Sequence, residues 1–210
     1  MRDEADSSAR ELERLTLIAQ ITNPVVGAGP LHTQVSELLR QVCSAYGVDA
    51  SVVRTLEGQE LELLAAVGIP MCQLSRRLPA DVGIARELIH ERRTLSIEDV
   101  ETESATALLA SDARSDATKY WFRSYAGAPL LLENRAVGVL GIYSTQRERW
   151  FTESELNHLQ IVANHIAISI INDRLYRELM ENRSELQRQI QERERAERRR
   201  LAMEEQLRHA

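Results

Sequence analysis

Residues 124–144 read SYAGAPLLLENRAVGVLGIYS, and this stretch decides the fold. It holds two apolar segments, Tyr125–Leu132 and Ala136–Ser144, separated by the polar residues Glu133–Arg135. β-Branched and aromatic residues on both sides of a short polar turn predict a β-hairpin. Both segments are apolar at successive positions, which is typical of central strands with a layer packed on each face. We therefore expect the rest of the chain to cover this hairpin.

Shorter elements are predicted upstream of the hairpin. Leu31–Tyr46 has apolar residues at helical spacing and predicts an amphipathic helix. Asp49–Leu56 and Glu60–Val67 predict a second hairpin. A short helix over Gly83–Arg92 and a strand over Thr94–Ile97 are expected to follow.

A long helix is predicted from Thr152 to about Leu207. Thr152 and Glu155 have the spacing of a capping box, and neither proline nor glycine follows them. One apolar stripe on this helix has the 3.6-residue period of a helix packed on a domain core. It comprises Leu156, Leu159, Ala163, Ile166 and Ile170.

A second stripe on the same helix repeats every seven residues and predicts the seam of a coiled coil. Its first members are Ile161, His165, Ile168, Asn172, Leu175, Leu179, Asn182 and Leu186, and the register continues to Leu207. The other interpretation is a solvated charged helix, but such a helix alone is marginal in water. We expect a parallel homodimer, assisted by a helix predicted at Ser7–Ile21.

Composition limits the function. The 210 residues are 43% apolar, which suffices for one core, and the net charge of −6 argues against nucleic-acid binding. The sequence has no run of about 18 apolar residues, so we expect a cytoplasmic protein with no membrane segment. Cys43 and Cys72 are too few for a disulfide framework or a zinc site and are expected as buried small hydrophobes.

The sequence resembles the GAF domain family. SYAGAPL at 124–130, VGVLGIYS at 137–144 and WFTESEL at 150–156 look like the C-terminal half of that family. Leu78–Ala85 and Arg93–Val100 are similar to its middle segment. The resemblance implies an α+β fold with a central antiparallel sheet of five or six strands flanked by helices, and the heptad pattern adds a long C-terminal coiled-coil helix. The resemblance does not imply a ligand, because GAF domains share a scaffold and not a chemistry.

Three segments are expected. Residues 1–30 form an N-terminal helix and linker, 31–177 the GAF-like sensor domain, and 178–210 a signalling helix. The tail at 193–207 resembles the linker that enters the dimerisation helices of bacterial sensor histidine kinases. Similar linkers lead into PAS or diguanylate cyclase domains. The chain is therefore expected to stop before an output domain of the same polypeptide.

A ligand site is predicted where aromatic residues and a cation lead into the central strand. Such groups at the mouth of a sheet suit an acidic or planar ligand. The predicted members are Arg54, Leu108, Tyr120, Trp121, Arg123, Tyr125 and Tyr143. Arg54 and Tyr143 belong to the site if their strands are adjacent. The family resemblance implies that the connection at 98–119 walls the pocket. The alternative is that these side chains simply fill the core.

No catalytic or metal site is predicted. The histidines form no recognisable metal-site pattern, and the sequence has no phosphate loop or nucleophile motif. The cysteines do not reproduce the cluster of GAF-fold methionine sulfoxide reductases. The signature of cyclic-nucleotide GAF domains is missing, and so is a bilin-binding cysteine beside a histidine. The cofactor is therefore unknown.

These features predict a non-catalytic regulatory sensor of a bacterial signal-transduction protein, a two-component histidine kinase. A small molecule in the GAF pocket would bias a dimeric coiled coil. The alternative is a ligand-free structural dimerisation module of a signalling protein such as a diguanylate cyclase.

Overall fold

The computed structural model describes residues 30–102 and 122–208. The predicted helix Ser7–Ile21 lies outside these residues. In chain order the elements are α1 (Leu31–Tyr46), β1 (Ala50–Glu57), β2 (Glu60–Val67), a 3₁₀ turn (Met71–Gln73), β3 (Arg77–Pro79), α2 (Gly83–Glu91), β4 (Leu95–Ile97), β5 (Ser124–Leu132), β6 (Arg135–Ser144) and α3 (Glu153–Arg208).

The six strands form one antiparallel sheet in the order β3-β2-β1-β6-β5-β4. The predicted α+β fold is confirmed. The central hairpin is β5–β6, and Glu133 and Asn134 turn it with φ of 46° and 68°. Two positive φ values in a two-residue loop are typical of a type I′ turn. Arg135, expected in the turn, begins β6 instead.

One face of the sheet carries α1. The Ser51 hydroxyl in β1 donates to the Leu39 carbonyl of α1 at 3.2 Å. Ile142, opposite Ser51 in β6, is fully buried on the same face. The first turns of α3 contact α1, because the Tyr46 hydroxyl donates to the Glu155 carbonyl at 3.2 Å. A closed apolar layer results on this side.

The other face of the sheet carries α2, and we call it the α2 face. Its side chains alternate along the strands with those of the first face. Buried members of this layer are Leu61, Ala80, Leu88, Ile97, Val100, Phe122, Tyr125 and Val139. Tyr143 packs against them and is half-buried.

The start of α3 confirms the predicted capping box. The Glu155 N–H donates to Thr152 Oγ1 at 3.2 Å, and the Thr152 N–H donates to Glu155 Oε2 at 2.8 Å. In the predicted core stripe, Leu159, Ala163 and Ile166 are buried. Leu156 and Ile170 are half-buried. The sequence reasoning missed Val162 and Ala167, which are also fully buried.

The chain divides into two compact units, the first ending at Ser169 and the second beginning at Ile170. The second unit is helical through Arg208. Its exposed large apolar side chains are those of Leu175, Tyr176, Leu179, Leu186, Ile190, Met203 and Leu207. Among the described residues, none of the helices is both long and apolar enough to cross a membrane.

Candidate functional site

Three aromatic rings form the centre of the α2 face. Tyr125 and Tyr143 lie opposite each other in the β5–β6 ladder, with ring centroids 5.0 Å apart. The Phe122 ring centroid is 5.1 Å from that of Tyr143 in an edge-on arrangement, and 6.0 Å from that of Tyr125. Tilted and edge-on pairs are the favoured aromatic geometries. The cluster is therefore ordered by its own packing.

Glycines make room for these rings. Gly127 and Gly141 face each other in the ladder, two residues from the tyrosine pair. A β-carbon at Gly141 would lie 2.7 Å from the Tyr143 hydroxyl oxygen and 2.9 Å from Cε2 of Tyr125. A β-carbon at Gly127 would overlap the Tyr125 hydroxyl. Both tyrosine rings thus lie along the sheet surface because the glycines leave that surface bare.

Arg54 enters this apolar layer from β1. It pairs with Val139 of β6, a member of the α2 face, and only 6% of its surface is exposed. The β1–β2 register shifts between Val53 and Arg54. Irregularities of this kind often re-aim a side chain beside a functional site. The charged group is therefore held inside the layer by the backbone of a central strand.

The guanidinium of Arg54 has few partners. Its Nη1 donates to the Arg76 carbonyl at 3.5 Å, which is long for a hydrogen bond. Within residues 30–102 and 122–208, no carboxylate forms an ion pair with it. Burial lowers the pKa of Arg54, but an arginine remains charged in proteins. The α2 face thus contains a buried positive charge.

The tyrosine hydroxyls are neutral at physiological pH. Burial raises the pKa of Tyr143 to about 12, while the nearby Arg54 charge acts in the opposite direction. Burial also raises the pKa of Tyr125 well above its ordinary value. Each hydroxyl therefore keeps its proton and is a potential hydrogen-bond donor for a ligand oxygen.

The structure brings together three of the predicted site residues, Arg54, Tyr125 and Tyr143, because β1 and β6 are adjacent. Leu108, Tyr120 and Trp121 lie outside the described residues, as does most of the connection at 98–119. Phe122, which follows Tyr120 and Trp121 in the sequence, was not among the predicted site residues.

Arg123 differs from the expectation that it clamps a ligand. Its guanidinium forms ion pairs with Asp99 at 2.9 Å, Glu101 at 2.6 Å and Glu148 at 2.9 Å. Asp99 and Glu101 lie in the loop that follows β4, and Glu148 lies in the loop between β6 and α3. Arg123 therefore joins the two loops, and we do not count it among the side chains of the α2 face.

A short polar chain continues from this rim to α3. The Ser124 hydroxyl is 2.5 Å from the Glu98 carbonyl and accepts a hydrogen bond from the Arg149 N–H at 2.8 Å. The Arg149 guanidinium donates to Glu155 Oε1 at 2.9 Å and to the Gly47 carbonyl at 3.0 Å. The first residue of β5, the end of α1 and the first turn of α3 are thereby tied together.

The Cys43 thiol is not activated for nucleophilic chemistry. The Cys43 thiol donates to Ser51 Oγ at 3.3 Å, and burial raises the pKa of Cys43. A thiol with a raised pKa is a poor nucleophile at neutral pH. Cys72 is exposed rather than buried, contrary to expectation. No group of three metal-ligating side chains lies close together in the described part of the chain.

Comparison with known proteins agrees with this architecture. Residues 30–170 match the model of the GAF domain family. No curated protein sequence matches the chain closely enough to count as a relative.

Three solved structures illustrate the likeness. A GAF domain from a phosphoenolpyruvate-protein phosphotransferase of Coxiella burnetii is 20% identical, with a TM-score of 0.63, over 79% of this chain and 96% of that one. Free methionine-R-sulfoxide reductase from Neisseria meningitidis, in complex with its substrate, is 19% identical, with a TM-score of 0.62, over 78% and 91%. The phycocyanobilin-bound GAF domain of a cyanobacterial phytochrome is 18% identical, with a TM-score of 0.58, over 78% and 96%.

At these identities the likeness shows the fold alone, and these proteins differ from one another in what they bind. The match to the family model, however, covers more than half of the sequence. The chain belongs to the GAF domain family.

Proposed function

We propose that this chain is the regulatory sensor module of a bacterial signal-transduction protein, in which a small molecule on the α2 face controls a dimeric coiled coil. The observation that carries the proposal is Arg54, a charge buried among aromatic and aliphatic side chains. In a layer that only fills a core, an arginine would lower the stability of the fold, because burying a charge without a partner costs free energy. In a layer that binds a ligand, the same charge can form an ion pair with the ligand and orient it.

The same observation opposes the alternative of a ligand-free structural module. In that case we expect the α2 face to contain no unpaired charge, as around Leu39 on the opposite face, where the buried polar group of β1 is the neutral, hydrogen-bonded hydroxyl of Ser51. The two faces of one sheet thus differ in a way that ligand binding explains.

The output of the sensor is proposed to be α3. The polar chain Ser124–Arg149–Glu155 links the first residue of β5 to the capping box of α3. Arg149 and Glu155 are themselves largely buried, so their ion pair is only weakly screened. A ligand that shifts Tyr125 would therefore also act on Ser124, its neighbour, and through it on the first turn of the helix.

Dimerisation is proposed through the seam. Leu179 and Leu186 are exposed by 62% and 59% in the single chain, and Leu175, one turn before Leu179, is also exposed. Burial in a second copy would gain about 25 cal/mol per Å² of apolar area. The linker-like tail at 193–207 supports a histidine kinase as the output domain, with a diguanylate cyclase as the alternative.

Native mass spectrometry tests the sensor. The intact chain is incubated with the small-molecule fraction of a bacterial lysate and weighed under native and denaturing conditions. We expect an adduct that dissociates on denaturation and that Arg54→Met abolishes, with Arg77→Met as the control at an exposed arginine. Equal masses under both conditions would favour the structural module.

A further inference from the structure

We infer that the ligand of the α2 face is a planar molecule that carries a carboxylate, which the Arg54 guanidinium binds. This inference rests on the proposed sensor function and adds the chemical class of the ligand.

The other two arginines that are partly buried among the described residues of the first unit have carboxylate partners. The side chain of Arg123, 27% exposed, contacts three carboxylates, and that of Arg149, 17% exposed, pairs with Glu155. Arg54 is more deeply buried than either, yet has only the long contact to the Arg76 carbonyl within the described ranges. The need for an anionic partner grows with burial. A bound carboxylate would supply that partner.

A carboxylate fits better than a phosphate. The planar fork of one guanidinium matches the two oxygens of one carboxylate. A phosphate dianion would require a second positive charge, and within residues 30–102 and 122–208 Arg54 is the only buried cation. The neutral hydroxyl of Tyr143, whose strand lies beside that of Arg54, suits a carboxylate oxygen that needs one more donor.

The remainder of the ligand is expected to be flat. Phe122, Tyr125 and Tyr143 present ring faces and edges at mutual centroid distances of 5.0–6.0 Å. A planar conjugated group can join such a cluster by offset stacking or edge-on contact. A saturated, puckered group of the same size would make poorer contact with these rings.

The test uses four simple probes with the full chain: benzoate, benzamide, cyclohexanecarboxylate and inorganic phosphate. Binding is measured by titration calorimetry, supported by ligand-observed NMR for weak probes. We expect benzoate to bind at least about tenfold more tightly than each of the others, which corresponds to about 1.4 kcal/mol. Equal affinities for benzoate and benzamide would contradict the inference that the ligand carries a carboxylate. Equal affinities for benzoate and cyclohexanecarboxylate would contradict the inference that the ligand is planar.

Variants separate a binding role of Arg54 from a structural one. Arg54→Met is expected to lose benzoate binding and to melt, without ligand, at the wild-type temperature or above, because a buried unpaired charge has been removed. Arg54→Lys keeps the charge without the fork and should bind benzoate with intermediate affinity. Arg77→Met, at an exposed arginine, should bind as the wild type does.

Two further results would overturn the inference. The first is that the wild type binds no carboxylate and that Arg54→Met lowers the melting temperature. Arg54 would then stabilise the fold and not bind a ligand. The other is a neutral molecule captured by native mass spectrometry, which would leave the sensor function in place and remove only the carboxylate. Capture of no molecule of any kind would remove the sensor function as well.

Discussion

Tyr125 and Tyr143 face each other across the β5–β6 ladder with ring centroids 5.0 Å apart, and each hydroxyl extends over the glycine two residues away in its own strand. The tyrosine pair and the glycine pair at 127 and 141 are therefore one feature. Aromatic side chains supply the surface of the α2 face, and bare backbone supplies the space in which they lie.

Gly127→Ala should destabilise the protein by about 1–3 kcal/mol, because the new methyl group overlaps the Tyr125 ring. Urea unfolding followed by circular dichroism measures the loss. In a double-mutant cycle with Tyr125→Leu, the two changes should cost less together than the sum of their separate costs. Strict additivity would show that the ring and the glycine do not interact.

The stability of the protein should fall as the pH rises from about 10 to 12. The pKa of Tyr143 is near 10 in the unfolded chain and about 12 in the folded one, so the unfolded state loses its proton first. The contribution of Tyr143 is fully present below pH 10 and amounts to about 2–3 kcal/mol by the difference in pKa.

Tyr143→Phe should therefore flatten the decline in melting temperature over this pH range. Tyr176→Phe removes an exposed hydroxyl and is the matched control. If both variants declined as steeply as the wild type, Tyr143 would not be the group responsible.

Thr152→Ala should destabilise the first unit by about 1 kcal/mol, because the N-cap hydroxyl that accepts the Glu155 N–H is lost. Ser154→Ala changes an exposed serine in the same turn and should stay within about 0.5 kcal/mol of the wild type. Thermal unfolding compares the two variants. Equal losses would mean that general helix propensity, and not the cap, is being measured.

Local patterns predicted the local structure well. The β5–β6 hairpin and the capping box at Thr152 each depend on residues close in sequence, although the turn was expected to include Arg135 as well. The alternation of apolar and polar side chains, the residues of turns and the residues of helix caps are all determined by short stretches of sequence. The six-strand sheet agrees with the expected five or six strands, but the short edge strand β3 (Arg77–Pro79) was not predicted.

Long-range contacts were harder to predict. The role of Arg123 depends on Asp99 and Glu148, which are 24 and 25 residues away, and no periodicity connects them. Arg54 could be assigned to the site only on the condition that its strand lies beside that of Tyr143. The strand order that meets this condition is a property of the whole sheet.

The seam of α3 is expected to hold a parallel homodimer. Leu179→Glu/Leu186→Glu places two charges on the seam and should convert the dimer to a monomer in sedimentation velocity, because a buried unpaired carboxylate is costly. Ser184→Glu/Gln191→Glu adds the same charges at outer positions of the heptads and should leave the dimer intact. A monomeric wild type, or a dimer that persists in both double variants, would contradict the proposal that the seam holds the dimer.

The parallel orientation has a separate test. Leu175→Cys in a Cys43→Ser/Cys72→Ser background should cross-link to its own copy under mild oxidation, because a parallel register places the two copies of this residue side by side. In an antiparallel pair over the seam from Ile161 to Leu207, position 175 would instead lie opposite position 193. A cross-link that forms only between Leu175→Cys and Arg193→Cys would therefore indicate an antiparallel pair.

The central claim is that a small molecule on the α2 face acts on the start of α3, and amide hydrogen exchange of the full chain with and without benzoate tests it most directly. We predict slower exchange in β5 and β6 and a change in exchange over residues 153–169. In Arg149→Met, which removes the ion pair with Glu155, the protection of β5 and β6 should remain while the change over 153–169 is lost. Exchange that benzoate leaves unaltered in both regions, or that changes over 153–169 equally in Arg149→Met, would contradict the account.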